Sequence, residues 1–349
     1  MPNLSYRQPG LVLQQGASSP AVRDLQRDLR SLGYLRAGFD GQFGPGTESG
    51  VMALQYDLLH NDGTSTGNDG SAPVRVQDYN NNRVSAVTGQ VDEPMAACIS
   101  DILDDPAFPK LPFSADPKAD NNAFRAKLAA LPEQAVPIPF LLAILQQESG
   151  LEHYNSGDSF IVVGLDRNLH GAAGGYAITS RGYGAGQYTL FHHPPTTEEV
   201  VQVMGDPIQN VRMAIQELRG KFDKYVNGPS DVANDRIAEF GRGPLRLCKY
   251  EASDARYLTD CQACVAAAGL VQITPGSTPL YEGSTGLYVT TQYYNPAPFS
   301  TTPARDKVGC DWPYAVRRYN GSGVNSFWYQ GRILNNVLKA VGVSRSEAA

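Results

Sequence analysis

The chain lacks an apolar run of about 18 residues, which is the length that a helix needs to cross a membrane. It also lacks a cluster of lysine and arginine, and its formal net charge is −6, so nothing in it attracts a nucleic acid. The N-terminus has neither the basic start nor the apolar stretch of a signal peptide. We therefore expect no membrane span, no nucleic-acid partner and no recognisable signal peptide.

Charged residues make up only 18% of the chain, whereas hydrophobic residues make up 42%. With 349 residues, 35 glycines and 24 prolines, the chain is long enough for two domains with apolar cores and long loops. His170, His192 and His193 have no spacing to a third metal ligand, and no lysine followed by serine or threonine comes after the glycines at 182–186. These residues indicate neither a metal site nor a phosphate-binding loop.

Helical spacing of apolar residues predicts three helices in the first 104 residues. Ser19-Pro20 has the residue types of an N-cap and a first helical position, and Gly33 is suited to end that helix. Residues 60–88 separate the second helix from the third and are rich in Asn, Asp, Gly, Ser and Thr, which is typical of a loop.

Three motifs of this region resemble the small three-helix peptidoglycan-binding domain, and they are Leu25-Gln26, Asp40-Gly41-x-Phe43-Gly44-Pro45 and Leu54-Gln55. The resemblance covers residues 10–104 and implies a wall-binding domain at 1–104, from which the 60–88 segment departs as an insertion. Most of the motif residues would build the helical core. Contact with carbohydrate would fall to exposed side chains, for which the candidates are Asp40, Gln42, Thr47 and Tyr56.

Residues 105–120 are polar and rich in proline, which predicts a semi-stiff linker to a second domain at 121–349. In that domain an apolar run beginning at Phe140 leads to Glu148, just before Gly150. A helix that is apolar on most sides is buried, so its last turn would deliver the Glu148 carboxyl to the edge of a core. Desolvation there favours the protonated form that a glycosidase needs in its general acid.

Four motifs then follow in order, and they are Glu148-Ser149, Gly184-Ala185-Gly186-Gln187, Asp206-Pro207-Ile208-Gln209-Asn210 and Arg318-Tyr319-Asn320-Gly321. The ordered set resembles the lysozyme-like lytic transglycosylases and goose-type lysozymes over residues 121–345. The resemblance implies a mainly α protein whose second domain has the lysozyme-like α+β fold. Two β-like runs, 270–274 and 287–291, separated by Gly, Pro and Ser turns, predict a β-rich insertion at about 265–300, which is not typical of the family's minimal core. The chain departs from the family at Gly186, where a methionine usually helps to line the cleft.

The resemblance implies cleavage of the peptidoglycan glycan between N-acetylmuramic acid and N-acetylglucosamine. Glu148 would be the catalytic acid and base, with a supporting or substrate-binding role for Ser149, Gln187, Tyr319 and Asn320. Of these, Tyr319 would be the phenol that hydrogen-bonds near Glu148, Gln187 would orient the substrate, and Asn320 would fix the local backbone.

The product of this chemistry depends on the nucleophile. Attack by the muramoyl 6-hydroxyl gives a 1,6-anhydro product, as in lytic transglycosylases. If a second carboxylate, Asp158 or Asp166, positions a water molecule instead, the enzyme is a hydrolytic muramidase. A non-catalytic wall-binding protein on a lysozyme scaffold is the alternative of another class, because fold alone does not fix activity.

The chain has five cysteines. Cys98 lies in an apolar stretch and is expected to be a core thiol, whereas the other four fall in the second domain and are Cys248, Cys261, Cys264 and Cys310. Their spacing fits disulfides, with Cys261 or Cys264 reaching Cys310, and it also fits a zinc site or free thiols. Because a wall enzyme works in oxidising surroundings, we expect at least one disulfide and no cofactor, with structural zinc as the less favoured alternative.

The expected partner is peptidoglycan, bound and cut by a monomer. The expected location is the periplasm or the extracellular cell wall, and without a signal peptide the route there would be phage lysis, a virion or a secretion system. A virion or secretion component, or an immunity protein against an injected enzyme, would then be a further partner.

Overall fold

Helices dominate the computed structural model, which confirms the prediction of a mainly α protein. The structure describes residues 5–36, 38–64, 74–131, 135–164, 176–178, 180–226, 264–265, 267–268, 270–271, 281–282, 287–288, 302–303, 308–321 and 324–346. The predicted site residues Asp166, Cys248 and Cys261 lie outside the described residues. Within the described part of the chain, no helix is both long and apolar enough to span a membrane.

The chain divides into two compact units. Unit 1 comprises Met1–Ala129 and Glu152–Val211, and unit 2 comprises Ala130–Leu151 and Arg212–Ala349. This division differs from the predicted one, because residues 152–211 group with the wall-binding segment and not with the Glu148 helix.

Unit 1 begins with the three predicted helices, which are α1 (Pro20–Ser31), α2 (Pro45–His60) and α3 (Glu93–Asp104). A short 3-10 helix, Val76–Tyr79, lies between the second and third. Ser19 caps α1 by accepting a hydrogen bond from the Val22 N–H, and Asp92 caps α3 through the Met95 N–H. The apolar faces of the three helices meet in one core cluster that includes Leu25, Phe43 and Leu54.

Two buried glutamines explain the paired Leu-Gln motifs. The Gln26 Oε1 accepts from the Gly41 N–H at 2.9 Å, and the Gln55 Oε1 accepts from the Gly89 N–H at 2.9 Å. Both glycines have positive φ angles, 74° and 73°, which only a residue without a Cβ adopts readily. Each glutamine therefore anchors a glycine turn that follows a helix, and each leucine beside it fills the core.

The rest of unit 1 comes from residues on both sides of the Glu148 helix. Its elements are α4 (Pro117–Ala129), the antiparallel strands β1 (Arg181–Tyr183) and β2 (Tyr188–Leu190), the short helix α6 (Thr197–Glu199) with a π turn at Val200–Met204, and the beginning of α7 (Pro207–Tyr225). The predicted linker packs within this unit, since Phe108 and Leu111 are buried and the Leu111 N–H donates to the Ser31 carbonyl at 2.8 Å. It is therefore part of the folded body of unit 1.

A buried ion pair ties the first helix to this later segment. Arg30 is fully buried, and its Nε donates to Asp158 Oδ2 at 3.0 Å. A second guanidinium nitrogen donates to the Ile161 carbonyl at 2.6 Å. A buried charge without its partner carries a large desolvation penalty, so α1 and the 158–161 segment depend on each other.

Unit 2 is built on the described helices α5 (Ile138–Ser149), the remainder of α7, α8 (Trp312–Tyr319) and α9 (Val324–Ser346). Helix α5 packs on α8 and α9, and α8 packs on α9. Phe222 of α7 packs against Trp312 with ring centroids 4.2 Å apart and the rings tilted by 33°. Four two-residue strands form two antiparallel pairs, β3 (Leu270–Val271) with β6 (Thr302–Pro303) and β4 (Tyr281–Glu282) with β5 (Leu287–Tyr288). Most of 265–300 lies outside the described residues, so the β-rich insertion stays a prediction.

The ion pair gives the first prediction. Replacing Asp158 by Asn leaves the Arg30 charge buried without a counter-charge, so the free energy of unfolding should fall by about 3–5 kcal/mol. The control is Asp101→Asn, which breaks the half-exposed Arg83–Asp101 pair and should cost less than about 1 kcal/mol. Urea denaturation of both variants measures the difference, and equal costs would contradict the structural role of the buried pair.

Candidate functional site

Glu148 lies in the last turn of α5, where the sequence analysis places the catalytic acid. The helix is anchored by buried apolar residues such as Phe140 and Ile144, and the Glu148 side chain is half-buried at its end. Gly150 closes the helix in the left-handed conformation, and its N–H donates to the Gln146 carbonyl at 3.1 Å. The acid therefore stands at a rigid helix end on the border between core and solvent.

Tyr329 of α9 places its phenol on Glu148. The Tyr329 hydroxyl donates to Glu148 Oε1 at 2.6 Å, and the tyrosine is itself buried. Tyr319, which the resemblance nominates for this role, stacks on Tyr329 at a centroid distance of 6.3 Å and an interplanar angle of 18°, and its contact with Glu148 stays a prediction. No sequence motif links Tyr329 to Glu148, because only the packing of α9 on α5 brings the two positions together.

Two residues that follow Tyr329 hold helix α9 in place. Gln330, the next residue, donates from Nε2 to the Pro313 carbonyl of α8 at 2.7 Å. Asn336, about two turns on, donates to the Ala143 carbonyl of α5 at 3.4 Å. Because α9 is bonded to both neighbouring helices, the Tyr329 hydroxyl meets the Glu148 carboxyl in a fixed geometry.

The other predicted residues of unit 2 lie at helix ends. The Ser149 hydroxyl donates to the Leu145 carbonyl of its own helix at 3.0 Å. Asn320 follows α8 as its C-cap, and Gly321 has a φ of 99°, so these two residues turn the chain between α8 and α9. This geometry agrees with a backbone role for Asn320, while the substrate contacts of these residues stay a prediction.

Gln187 belongs to unit 1, where it closes the turn between β1 and β2. Its φ is 50°, and its Nε2 donates to the Gly184 carbonyl at 2.7 Å. A Cβ on Gly164 or Gly182 would stand only 1.8 or 2.7 Å from Gln187 Oε1. Gly164 and Gly182 therefore leave room for the Gln187 amide, which folds back on its own turn. The contact of Gln187 with substrate stays a prediction.

The glycine turn and the Asp-Pro motif of the resemblance meet in unit 1. Asn210, on the first turns of α7, accepts from the Gly186 N–H at 2.8 Å and donates to the Tyr183 carbonyl at 3.0 Å. A Cβ on Gly184 would stand 2.7 Å from Asn210 Oδ1, so this glycine allows the close approach. The two motifs thus form one buried hydrogen-bonded scaffold.

His153 completes this scaffold as a neutral side chain. Its Nε2 bonds the Met204 carbonyl at 2.7 Å, and its Nδ1 accepts from the Ala185 N–H at 3.3 Å. Burial lowers the pKa of His153 from 6.5 to about 4, although the bond to the carbonyl opposes the shift. The sequence analysis missed this residue because a lone histidine carries no motif.

The position of Asp158 argues against its role as a second catalytic carboxylate. One of its oxygens is paired with Arg30 and the other accepts from the Phe160 N–H at 3.0 Å. The residue is only 5% exposed, so it has no open face on which to hold a water molecule for attack. The other candidate, Asp166, lies outside the described residues.

The predicted wall-binding residues differ in exposure. Asp40 and Gln42 are exposed on the turn that Gln26 anchors, and Tyr56 is half-buried beside His60. Thr47, predicted to be exposed, is only 3% exposed, and its hydroxyl accepts from the Gln26 Nε2 at 3.0 Å. Thr47 is therefore an internal residue that supports the turn.

The described cysteines include one adjacent pair. Cys264 is half-buried, and its Sγ accepts from the Gly309 N–H at 3.0 Å, one residue before the buried Cys310. The structure does not join Cys264 and Cys310 in a disulfide. Among the residues that the structure describes, no group of three or more histidine, cysteine, aspartate or glutamate side chains is arranged to hold a metal ion.

Comparison with known families supports the prediction of a peptidoglycan-binding domain in the first part of the chain. The family model described as "Putative peptidoglycan binding domain" matches residues 18–65, which carry α1, α2 and the Asp40 turn. The chain therefore has an N-terminal peptidoglycan-binding domain, and this domain indicates a cell-wall context. Comparison with curated proteins and with solved structures gave no match.

The neutral state of His153 predicts a pH effect on stability. Since its folded pKa of about 4 lies below the ordinary 6.5, the unfolded chain binds the proton first, and stability present above pH 6.5 is lost as the pH falls towards 4. The loss should reach roughly 3 kcal/mol. His153→Gln keeps a donor for the Met204 carbonyl but does not titrate, so its unfolding free energy should fall less over the same range.

Two carboxyl groups oppose this effect in the total stability. Burial raises the pKa of Asp28 to about 6 and that of Asp57 to about 7, so both favour the folded state as the pH falls. Both proteins carry these groups, and their contribution cancels in the difference between wild type and variant. Urea denaturation between pH 7 and pH 4 measures that difference. If the unfolding free energies of wild type and His153→Gln change in parallel with pH, His153 is not a neutral buried histidine.

Proposed function

We propose that the protein cleaves the glycan strand of peptidoglycan between N-acetylmuramic acid and N-acetylglucosamine, with Glu148 as the single acid and base. The observation that carries the proposal is the 2.6 Å hydrogen bond from Tyr329 to Glu148 at the end of the apolar helix α5. The resemblance of the ordered motifs to lytic transglycosylases supports it, and the peptidoglycan-binding domain supplies the substrate class.

The hydrogen bond defines how the acid would work. Because the Tyr329 hydroxyl donates to Oε1, that oxygen acts as the acceptor of this hydrogen bond, and the proposed reaction would use a proton carried on Oε2. Once the proton has left, the same phenol stabilises the carboxylate by a charge-assisted hydrogen bond. Tyr329 thus orients Glu148 in both protonation states.

The proposed reaction needs no cofactor. Glu148 donates its proton to the bridging oxygen, the bond from that oxygen to C1 of the muramoyl sugar breaks, and positive charge develops at C1. By the resemblance, the acetamido group of the same sugar stabilises this charge. The Glu148 carboxylate then takes the proton of the 6-hydroxyl, whose oxygen bonds to C1 and yields a 1,6-anhydro end without consuming water.

Hydrolysis by a muramidase is the second candidate. It needs a water molecule in place of the 6-hydroxyl. Asp158 is one of the two residues that could hold that water, and its ion pair with Arg30 disfavours this role. The alternative of another class is a non-catalytic wall-binding protein, which the departure at Gly186 motivates.

The two functions of the chain would act together. The N-terminal domain keeps the protein on the sacculus, which raises the effective concentration of glycan at Glu148. We propose that the protein works as a monomer in the periplasm or at the extracellular wall, in phage lysis, in a virion or as a secreted effector. An effector would have an immunity protein as its partner.

The test of this function is the release of soluble fragments from purified sacculi. Glu148→Gln keeps the shape of the side chain but removes the acid, so release should fall by at least about 100-fold, the lower range for a general acid. Glu217→Gln is the matched control, because this exposed glutamate on α7 only pairs with Lys221 at the surface. If Glu148→Gln releases fragments as fast as wild type, the protein is not the proposed enzyme.

A second pair of variants assigns the phenol. Tyr329→Phe removes the donor to Glu148 and keeps the ring, so kcat should fall about 10- to 100-fold, as for a lost hydrogen bond to a charged group. Tyr319→Phe keeps the ring that stacks on Tyr329 and should lower kcat less. Thermal unfolding of both variants checks that the helices remain packed, and a larger loss at Tyr319 would contradict the assignment.

A further inference from the structure

Three phenylalanines of unit 1, Phe39, Phe113 and Phe160, form an aromatic patch. Phe160 is buried, and the ring of Phe113 packs against it at a centroid distance of 5.1 Å and an angle of 70°. The ring of Phe39 packs on the same residue at 6.1 Å and 88°. Phe160 is thus a common support for two rings that come from distant parts of the chain.

The exposed ring of the patch is held by ordered backbone. Phe113 is 59% exposed, although burying an aromatic ring is strongly favourable. Its two neighbours are fixed, since the Pro112 carbonyl accepts from the Ile161 N–H at 2.9 Å and the Ser114 N–H donates to the Ser159 carbonyl at 2.8 Å. The fold therefore presents this ring to solvent on a rigid support, which is typical of a recognition surface.

Charged groups lie beside the rings. The Arg27 guanidinium lies over the Phe39 ring, with its central carbon 5.9 Å from the centroid, and its side chain is exposed. Asp40, next to Phe39 in the chain, is exposed and its Oδ1 is held by Gln26 and by the Gln42 N–H. The surface thus combines an apolar platform with one cation and one fixed carboxylate.

We propose that the aromatic patch is a subsite for peptidoglycan in which a sugar ring of the glycan lies on the exposed ring of Phe113. The apolar C–H face of a sugar complements the flat ring, and the Arg27 guanidinium pairs with a carboxylate of the attached peptide. Arg27 and Phe39 fall within the matched residues 18–65, but Phe113 and Phe160 do not, so the subsite extends beyond the recognised domain.

This inference rests on the wall-binding part of the proposed function and not on cleavage. The binding test is therefore made in full-length protein carrying Glu148→Gln, which should leave the sacculi intact. Co-sedimentation with purified sacculi gives the dissociation constant, and titration with a soluble disaccharide-peptide fragment of peptidoglycan confirms that the ligand is glycan with its peptide.

The decisive variant is Phe113→Ala, which should weaken binding about three- to tenfold, the range for one aromatic contact. Phe113→Trp keeps an aromatic face, so its dissociation constant should stay within about twofold of the parent's. The matched control is Phe191→Ala, which removes another exposed ring of unit 1, 44% exposed, and should leave binding unchanged. Arg27→Gln should weaken binding at low salt and lose this effect at high salt, because an exposed ion pair is screened.

Each outcome decides the proposal. Unchanged binding by Phe113→Ala, equal losses at Phe113 and Phe191, or failure of Phe113→Trp to retain binding would each overturn it. Fragment release by the protein with a native Glu148 is measured separately. If that release is absent while Phe113→Ala weakens binding, the cleavage proposal fails and the subsite stands. If release is present while Phe113→Ala binds as tightly as its parent, the subsite proposal fails and the cleavage proposal stands.

Discussion

Hydrogen bonding of buried polar side chains is the constraint on which the fold depends. A polar group removed from water costs free energy unless it finds a partner, so each such residue fixes the segment that it bonds. Gln26 and Gln55 fix two glycine turns of the wall-binding domain, and Asn210 fixes the turn between β1 and β2. The bond from Tyr329 to Glu148 follows the same rule, and here the fixed group is the carboxyl at a helix end on which the proposed cleavage depends.

The elements that the sequence predicts well are those with local signals. The three helices of the first domain have N-cap residues or proline at their starts, and α5 has Gly150 at its end, so their bounds follow from nearby residues. The contacts that the sequence does not reveal join distant positions. Arg30 meets Asp158 and Tyr329 meets Glu148 only after packing, and neither pair has a spacing or a motif that would connect its members.

The structure explains why two of the motifs that carry the resemblance occur together in the chain. Asn210 of the Asp-Pro motif and the glycines of the Gly-x-x-Gln turn need each other, since the amide occupies the space that a Cβ on Gly184 would fill. Their joint presence reflects a shared scaffold in unit 1, which also contains the peptidoglycan-binding domain. The aromatic patch draws on both parts of this unit, because Phe39 belongs to the first and Phe160 to the second.

The central claim is that Glu148 acts as an acid and base that closes the muramoyl 6-hydroxyl onto C1. Digestion of purified sacculi in water enriched in oxygen-18, followed by mass spectrometry of the soluble fragments, tests it most directly. The account predicts new fragments with 1,6-anhydro ends and no heavy oxygen at C1. Labelled reducing ends would contradict the transglycosylase route and assign hydrolysis, and the absence of new fragments would contradict the enzyme altogether.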